Sequence, residues 1–185
     1  MAVWLVSHCH THSKREKYVR AMQKHISVDI YGRCGMTPKC SLGNGTGCST
    51  AAILSEYKFY IAFENSFCAD YVSEKFFKTY TGDNHVIPVV RGGARYDELL
   101  PNDTFVNADR FTSPKELALY LKTLAADPVS HGRVLERKDQ YRVMPSANVF
   151  RDVCEAVASV NFEPKTYDIK QWMGEQCDTD PRTDV

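Results

Sequence analysis

The stretch Tyr57–Lys75, YKFYIAFENSFCADYVSEK, constrains the fold more than any other part of the chain. Lys58–Phe63 is aromatic, β-branched and apolar on both faces, the make-up of a strand buried between two layers. The pattern turns helical near Tyr71. Between them, the polar residues Glu64–Asp70 fall at the carboxyl end of a buried strand, where open α/β sheets take their ligands. A helix opening at Tyr71–Ser73 would aim unpaired backbone N–H groups and its positive dipole end into that crevice, so the ligand expected there is anionic. Lys75 adds a mobile cation, Asn65 can donate and accept, Tyr71 offers a ring face and a hydroxyl, and Glu74 suits sugar hydroxyls. The plainer alternative makes Asn65 a turn former and Glu74 and Lys75 a solvated helix face. Composition alone does not separate the two.

The flanking sequence supplies a repeated strand–helix alternation. Ala2–Val6 is a short apolar strand, and Tyr18, Val19, Met22 and Ile26 recur at the spacing of an amphipathic helix. Ser13-Lys14-Arg15-Glu16 has the form of a capping box, which places the helix start at Lys14. Arg15 then sits in the first turn, where a cation opposes the dipole, a hint of a nearby phosphate that competes with its being a surface arginine. Val28–Tyr31 is the next strand, and a short helix from about Thr50 to Glu56 leads to the central strand. Val86–Val90 is a further buried strand, and Gly92-Gly93 after it would admit backbone close to a ligand. Phe105 and Val106 make a brief strand. Ser113-Pro114-Lys115-Glu116 is a second capping box, opening a helix with Leu117, Leu119, Tyr120, Leu121 and Leu124 on its apolar side. The order argues an α/β fold with a Rossmann-like, doubly wound parallel sheet. Beyond Asp127, helical spacing returns in Val149, Phe150, Val153 and Val157, and Trp172 is expected to pack the tail onto the body. The organisation expected is one nucleotide-binding domain over residues 1–126 and a helical closing segment over 127–185.

Composition removes several function classes. Lys plus Arg and Asp plus Glu number 23 each, so there is no basic field for nucleic acid. No apolar run is long enough for a membrane span, and Met1–Ser7 is too short and uncharged for a signal peptide. As written, the chain is expected to carry no export address and no anchor. The 7 cysteines suit an oxidising compartment, and their odd number leaves at least one unpaired. There is no C-x-x-C pair. Cys34, Cys40 and Cys48 would pin the loop after the second strand, and a Cys154–Cys177 bridge is one option that spacing leaves open. Asn44-Gly45-Thr46 and Asn102-Asp103-Thr104 are glycosylation sequons at Asn44 and Asn102. Gly43–Gly47 is glycine-rich but lacks the Gly-Lys-Ser/Thr of a phosphate loop. His8, His10 and His12 would share one side of an extended segment, yet no ordered carboxylate or cysteine pair accompanies them, so no metal is expected there.

Phe63-Glu64-Asn65-Ser66, then Cys68-x-Asp70-Tyr71-Val72-Ser73-Glu74-Lys75, then Val86-Ile87-Pro88-Val89-Val90 and a glycine, resemble the α-1,3-fucosyltransferase family (glycosyltransferase family 10). The likeness runs on through Tyr96, Pro101, Thr104-Phe105-Val106 and Phe111–Ala118, and upstream through Val3–Ser7, Ser13–Tyr18 and Val28–Gly32. It covers roughly the first 125 residues. After them the family's aromatic F-x-W-[RK] gives way to Val134-Leu135-Glu136-Arg137-Lys138, so the packing of the closing segment is left open.

The resemblance implies the carboxyl-terminal, donor-binding half of a two-lobed GT-B enzyme. The reaction implied is inverting transfer of L-fucose from GDP-fucose to a 3-hydroxyl of N-acetylglucosamine on a glycoprotein glycan. It implies donor-binding roles for five residues: Arg15 and Lys75 on the diphosphate, Asn65 and Tyr71 orienting the donor, and Glu74 on the sugar hydroxyls. It implies no cofactor and no essential divalent metal. The acceptor base belongs to the amino-terminal lobe, so no residue of this chain is expected to be catalytic. The full-length form would be membrane-anchored, facing the Golgi lumen. Two alternatives stay open: a non-catalytic GDP-sugar-binding or carbohydrate-interaction module from a truncated gene product, and a GT-B enzyme using a UDP-sugar.

Overall fold

A computed structural model describes residues 1–36, 49–82, 84–143, 149–159, 163 and 166–177. Its centre is a parallel sheet of five strands in the order β2-β1-β3-β4-β5, with β1 Ala2–Leu5, β2 Val28–Tyr31, β3 Phe59–Phe63, β4 Ile87–Arg91 and β5 Val106–Asn107. Every residue of β3 and β4 is buried. Side chains alternate between the faces. Phe59, Ile61 and Phe63 join one core cluster with Trp4, Ile87 and Val89, whereas Tyr60 and Ala62 join a second with Val3 and Val90. Two apolar faces require two covering layers, which is why β3 reads as a continuous hydrophobic run.

Helices α1 (Arg15–Gln23) and α5 (Pro114–Ala126) cover the first face. Tyr18, Val19 and Met22 from α1 and Leu117, Leu121 and Leu124 from α5 are buried there. Leu119 and Tyr120, expected on the same side, are instead 47% and 44% exposed. They fall about 100° per residue away from the seam set by Leu117, Leu121 and Leu124. The short helices α2 (Thr50–Leu54), α3 (Glu74–Phe77) and α4 (Tyr96–Leu99) lie on the second face through Ile53, Leu54, Phe76 and Tyr96. At Ser113 the cap half of the expected box forms: Ser113 Oγ accepts from the Glu116 N–H at 3.2 Å, with Pro114 opening α5. The Glu116 carboxylate accepts from both the N–H and the hydroxyl of Thr112.

The segment without the family's aromatics packs well. It forms α6 (Pro128–Lys138), whose Val134 and Leu135 lie against the first core cluster. The buried Lys138 Nζ donates to Asn84 O at 2.8 Å and lies 5.3 Å from the Tyr80 ring centre. α7 (Val149–Ala158) follows the expected spacing, but Phe150 is 84% exposed and Val153 and Val157 are each 54% exposed. The tail helix α8 (Ile169–Gln176) does not press Trp172 into the body. That side chain stays 50% exposed, and the tail returns through a Cys68–Cys177 disulfide instead. Cys154 is therefore not Cys177's partner; it is free and exposed.

His131 of α6 sits edge-on to Phe59, with ring centres 5.8 Å apart, and its buried Nε2 has no hydrogen-bond partner. Burial first, and the Lys58 charge second, depress its pKa below the ordinary histidine value. The unfolded chain therefore takes up a proton that the folded chain refuses. Stability should be complete above about pH 6.5 and fall as the pH drops below it, by at most about 1.4 kcal/mol per pH unit. Urea unfolding of the wild type and His131→Leu at pH 7.5 and 5.5 checks this. The wild type should lose more stability between the two pH values, and an identical loss in both would refute the assignment.

Candidate functional site

The strand order reverses between β1 and β3, so the loops leaving their carboxyl ends diverge and open a crevice. Arg15, the first residue of α1, sews these strand ends together. It is 3% exposed; Nη1 donates to Phe63 O at 2.7 Å and Nη2 to His8 O at 3.2 Å, while the guanidinium lies 5.5 Å from the Trp4 ring centre. Burial lowers its pKa and the Glu64 charge opposes that shift. The capping box expected at Ser13 does not form. The buried Ser13 hydroxyl donates to Glu64 O at 2.7 Å, Lys14 adopts a left-handed conformation (φ 48°), and α1 starts at Arg15. Glu16 turns to the Thr11 hydroxyl. A carbonyl from a distant strand end has displaced the local cap.

Glu64 is the residue that the sequence reading passed over. At 1% exposure, its carboxylate accepts from the Ser73 N–H at 2.8 Å, from the Ser73 hydroxyl, and from Lys75 Nζ at 2.8 Å. Two expectations change as a result. The helix opens at Glu74 rather than Tyr71 and has only 4 residues, and the N–H of its cap is taken by the protein's own carboxylate. Lys75 is not a mobile cation: its side chain is 15% exposed and fixed to Glu64 and Ser73. The signal available was the position of Glu64 as an acid directly following the run of buried strand residues Phe59–Phe63. Arg91, at 1% exposure, was also missed. It donates to Ser13 O at 3.0 Å, with its guanidinium 4.5 Å from the Tyr18 ring centre and 4.7 Å from that of Phe67.

The crevice holds a cavity of about 930 Å³ whose walls include His8, His10, His12, Asn65, Tyr71 and Trp172. Asn65 and Tyr71 thus face one space, whereas Arg15, Glu74 and Lys75 are not among its lining residues. Arg15 lies behind the wall, and Glu74 is 67% exposed beside Lys78 on the solvent side of α3. Among the described residues, the buried polar atoms without a hydrogen-bond partner include Arg15 Nε, behind this wall, and Asn65 Oδ1, on it. Buried polar atoms are ordinarily satisfied, and Asn65 Oδ1 on the wall is an acceptor that a ligand hydroxyl could use. Gly92 and Gly93 were expected to let a ligand approach. A Cβ on Gly93 would instead meet the backbone of Phe67 and Cys68 at 2.6 Å, and one on Gly92 would meet the Tyr96 hydroxyl at 2.3 Å. Gly93 admits the protein's own Asn65–Tyr71 loop, and Gly92 admits the side chains of Tyr96 and Glu64.

Two disulfides frame the crevice: Cys9–Cys34 joins the loops after β1 and β2, and Cys68–Cys177 joins the β3 loop to the end of α8. Cys40, Cys48, Asn44 and the Gly43–Gly47 run lie outside the described residues. Asn102 is exposed in a turn. Among the described residues, no cluster of three His, Cys, Asp or Glu side chains is arranged to hold a metal ion, and no helix is long and apolar enough to cross a membrane.

A reversed parallel sheet with a crevice at its switch point suits many nucleotide-binding proteins, so relatives carry the next step. Alpha-(1,3)-fucosyltransferase C of Drosophila melanogaster is 42% identical over 180 residues, which is 95% of this chain and 41% of the relative. The Caenorhabditis elegans alpha-(1,3)-fucosyltransferase fut-1 is 39% identical over 154 residues, 83% of this chain and 35% of that protein. This chain therefore spans well under half the length of these relatives. In three dimensions, the crystal structure of an alpha1,3-fucosyltransferase with GDP-fucose matches 78% of this chain and 40% of its own, with a TM-score of 0.61 at 23% identity. That likeness gives the GT-B type of fold. The model of glycosyltransferase family 10 (fucosyltransferase), carboxyl-terminal part, matches residues 1–173, and the chain therefore belongs to that family.

Proposed function

We propose that this chain is the donor-nucleotide-binding half of an α-1,3-fucosyltransferase, holding GDP-fucose in the crevice between the β1 and β3 loops. The observation that carries it is the cavity of about 930 Å³ at the β1/β3 switch point of a chain of this family, with the unpartnered Asn65 Oδ1 on its wall and Arg15 behind that wall. Arg15 would offer the diphosphate positive potential from behind the wall, while a donor hydroxyl would give its hydrogen to Asn65 Oδ1. The Tyr71 hydroxyl and ring line the same space. Lys75, fixed by Glu64, supplies positive potential from the rim. Glu74 would reach donor sugar hydroxyls only after a side-chain rotation from its present place beside Lys78, for which its exposure leaves room.

Transfer of fucose, with inversion, to N-acetylglucosamine of a glycoprotein glycan then calls on an acceptor-activating carboxylate from the remainder of a complete enzyme. No divalent metal is needed where protein cations neutralise the leaving diphosphate. The disulfides suit an oxidising lumen, the Golgi in this reading, with the complete enzyme anchored in the membrane. Isothermal titration of GDP-fucose, GDP and UDP-glucose into the folded chain tests the proposal. Saturable binding of GDP-fucose and GDP and none of UDP-glucose is expected, with GDP-fucose weakened up to about tenfold by Asn65→Ala, the loss of a neutral hydrogen bond, and about tenfold or more by Glu74→Ala, the loss of a charged one. A folded protein that ignores guanine nucleotides would sink the reading. Binding of UDP-glucose in their place would favour a different donor.

A further inference from the structure

α8 is held at its carboxyl end by the Cys68–Cys177 disulfide and by a backbone bond from the Ala69 N–H to Gln176 O at 2.7 Å. Residues 169–175 are all exposed. Trp172 and Met173 remain 50% and 54% exposed, yet both line the crevice cavity. A tail helix that merely closed the domain would spend a tryptophan on the core. This one presents an indole and a thioether to the space that holds Asn65 and Tyr71. The tether joins Cys68, midway between those two residues, so the loop and the helix wall are fixed as one unit.

We propose that Trp172 is the platform on which the purine base of the donor stacks, and that the Cys68–Cys177 disulfide holds the platform in position. This rests on the GDP-fucose reading above. The diphosphate and the sugar call for charged and hydroxyl partners, which Arg15, Asn65 and Tyr71 provide. The base is the part of the donor that needs a flat apolar face, and an indole provides it without regard to the base's edge. Met173 beside it adds a polarizable contact of the kind sulfur makes with aromatic rings. Trp172 acts on binding and has no part in the bond-making step.

The test is titration with GDP and with inorganic pyrophosphate, which lacks the base, alongside tryptophan emission. Trp4 is 3% exposed in the core, next to Arg15, so the part of the emission change on adding GDP that disappears in Trp172→Ala reports Trp172. GDP should quench the emission, and Trp172→Ala should weaken GDP about tenfold or more, the worth of one base–aromatic stack. The same variant should leave pyrophosphate and the melting temperature unchanged, and Trp172→Phe should keep most of the affinity. Cys68→Ser/Cys177→Ser should weaken GDP to a similar degree by freeing α8. Unchanged GDP binding in Trp172→Ala would overturn the platform and leave the GDP-fucose reading standing. Equal loss of GDP and pyrophosphate would overturn it in favour of a purely structural role. A wild type that binds no GDP would overturn both.

Discussion

Glu64→Ala is expected to lower the unfolding free energy by about 3–5 kcal/mol, the cost of removing one partner from a buried ion pair. The carboxylate is 1% exposed and serves Lys75 Nζ, the Ser73 N–H and the Ser73 hydroxyl together. Without it, an ammonium at 15% exposure and a helix cap lose their acceptor. The substitution Arg95→Ala breaks an ion pair to Glu98 of similar length, 2.6 Å, but both side chains are over 60% exposed. That change should cost only about 0–1 kcal/mol. Urea unfolding of the two variants settles the comparison. A double-mutant cycle with Lys75→Met would isolate the pair itself, because Lys75→Met in the Glu64→Ala background removes the uncompensated charge and should recover part of the loss. A Glu64→Ala loss below about 1 kcal/mol would mean that water reaches this carboxylate, and Glu64 could not then be what fixes Lys75.

Glu64 also shows where sequence reading succeeds and where it stops. Every strand was legible to within a residue or two, helped at β3 and β4 by burial on both faces, which leaves a dense apolar signal broken only by Arg91 at the end of β4. The second cap was legible for a local reason: Ser113 caps Glu116, and Glu116 reaches back to Thr112, all within one turn. Ser13 carries the same motif and caps nothing, since its hydroxyl bonds to a residue 51 positions away. Local motifs predict geometry only where no distant partner competes. Family motifs located the Asn65–Lys75 segment, but the partner of each polar group in it is set by the approach of β1, β3 and β4, which lies beyond spacing. The Cys68–Cys177 pairing is of the same kind: the two lie 109 residues apart, and only the return of α8 brings them together.

The pair Gly93→Ala and Gly132→Ala should move stability in opposite directions although both add one methyl group. At Gly93 the new Cβ would stand 2.6 Å from Cys68 N and Phe67 C and 2.7 Å from Cys68 O. These are backbone atoms, pinned by a disulfide at Cys68, so the loop cannot yield by rotating a side chain. Overpacking of this kind costs about 1–3 kcal/mol, and the rigid neighbours place Gly93→Ala at the upper end. The strain falls on the Asn65–Tyr71 loop, so GDP affinity should drop with it. Gly132 lies inside α6, where a Cβ meets nothing within 4 Å. Alanine there removes backbone freedom from the unfolded chain and should stabilise by about 0.5–1 kcal/mol without touching nucleotide binding. Thermal melts read the two signs, and titration with GDP reads the second effect. If Gly93→Ala melts like the wild type and binds GDP equally well, the β4 loop does not buttress the crevice, and the glycines there answer to the ligand after all.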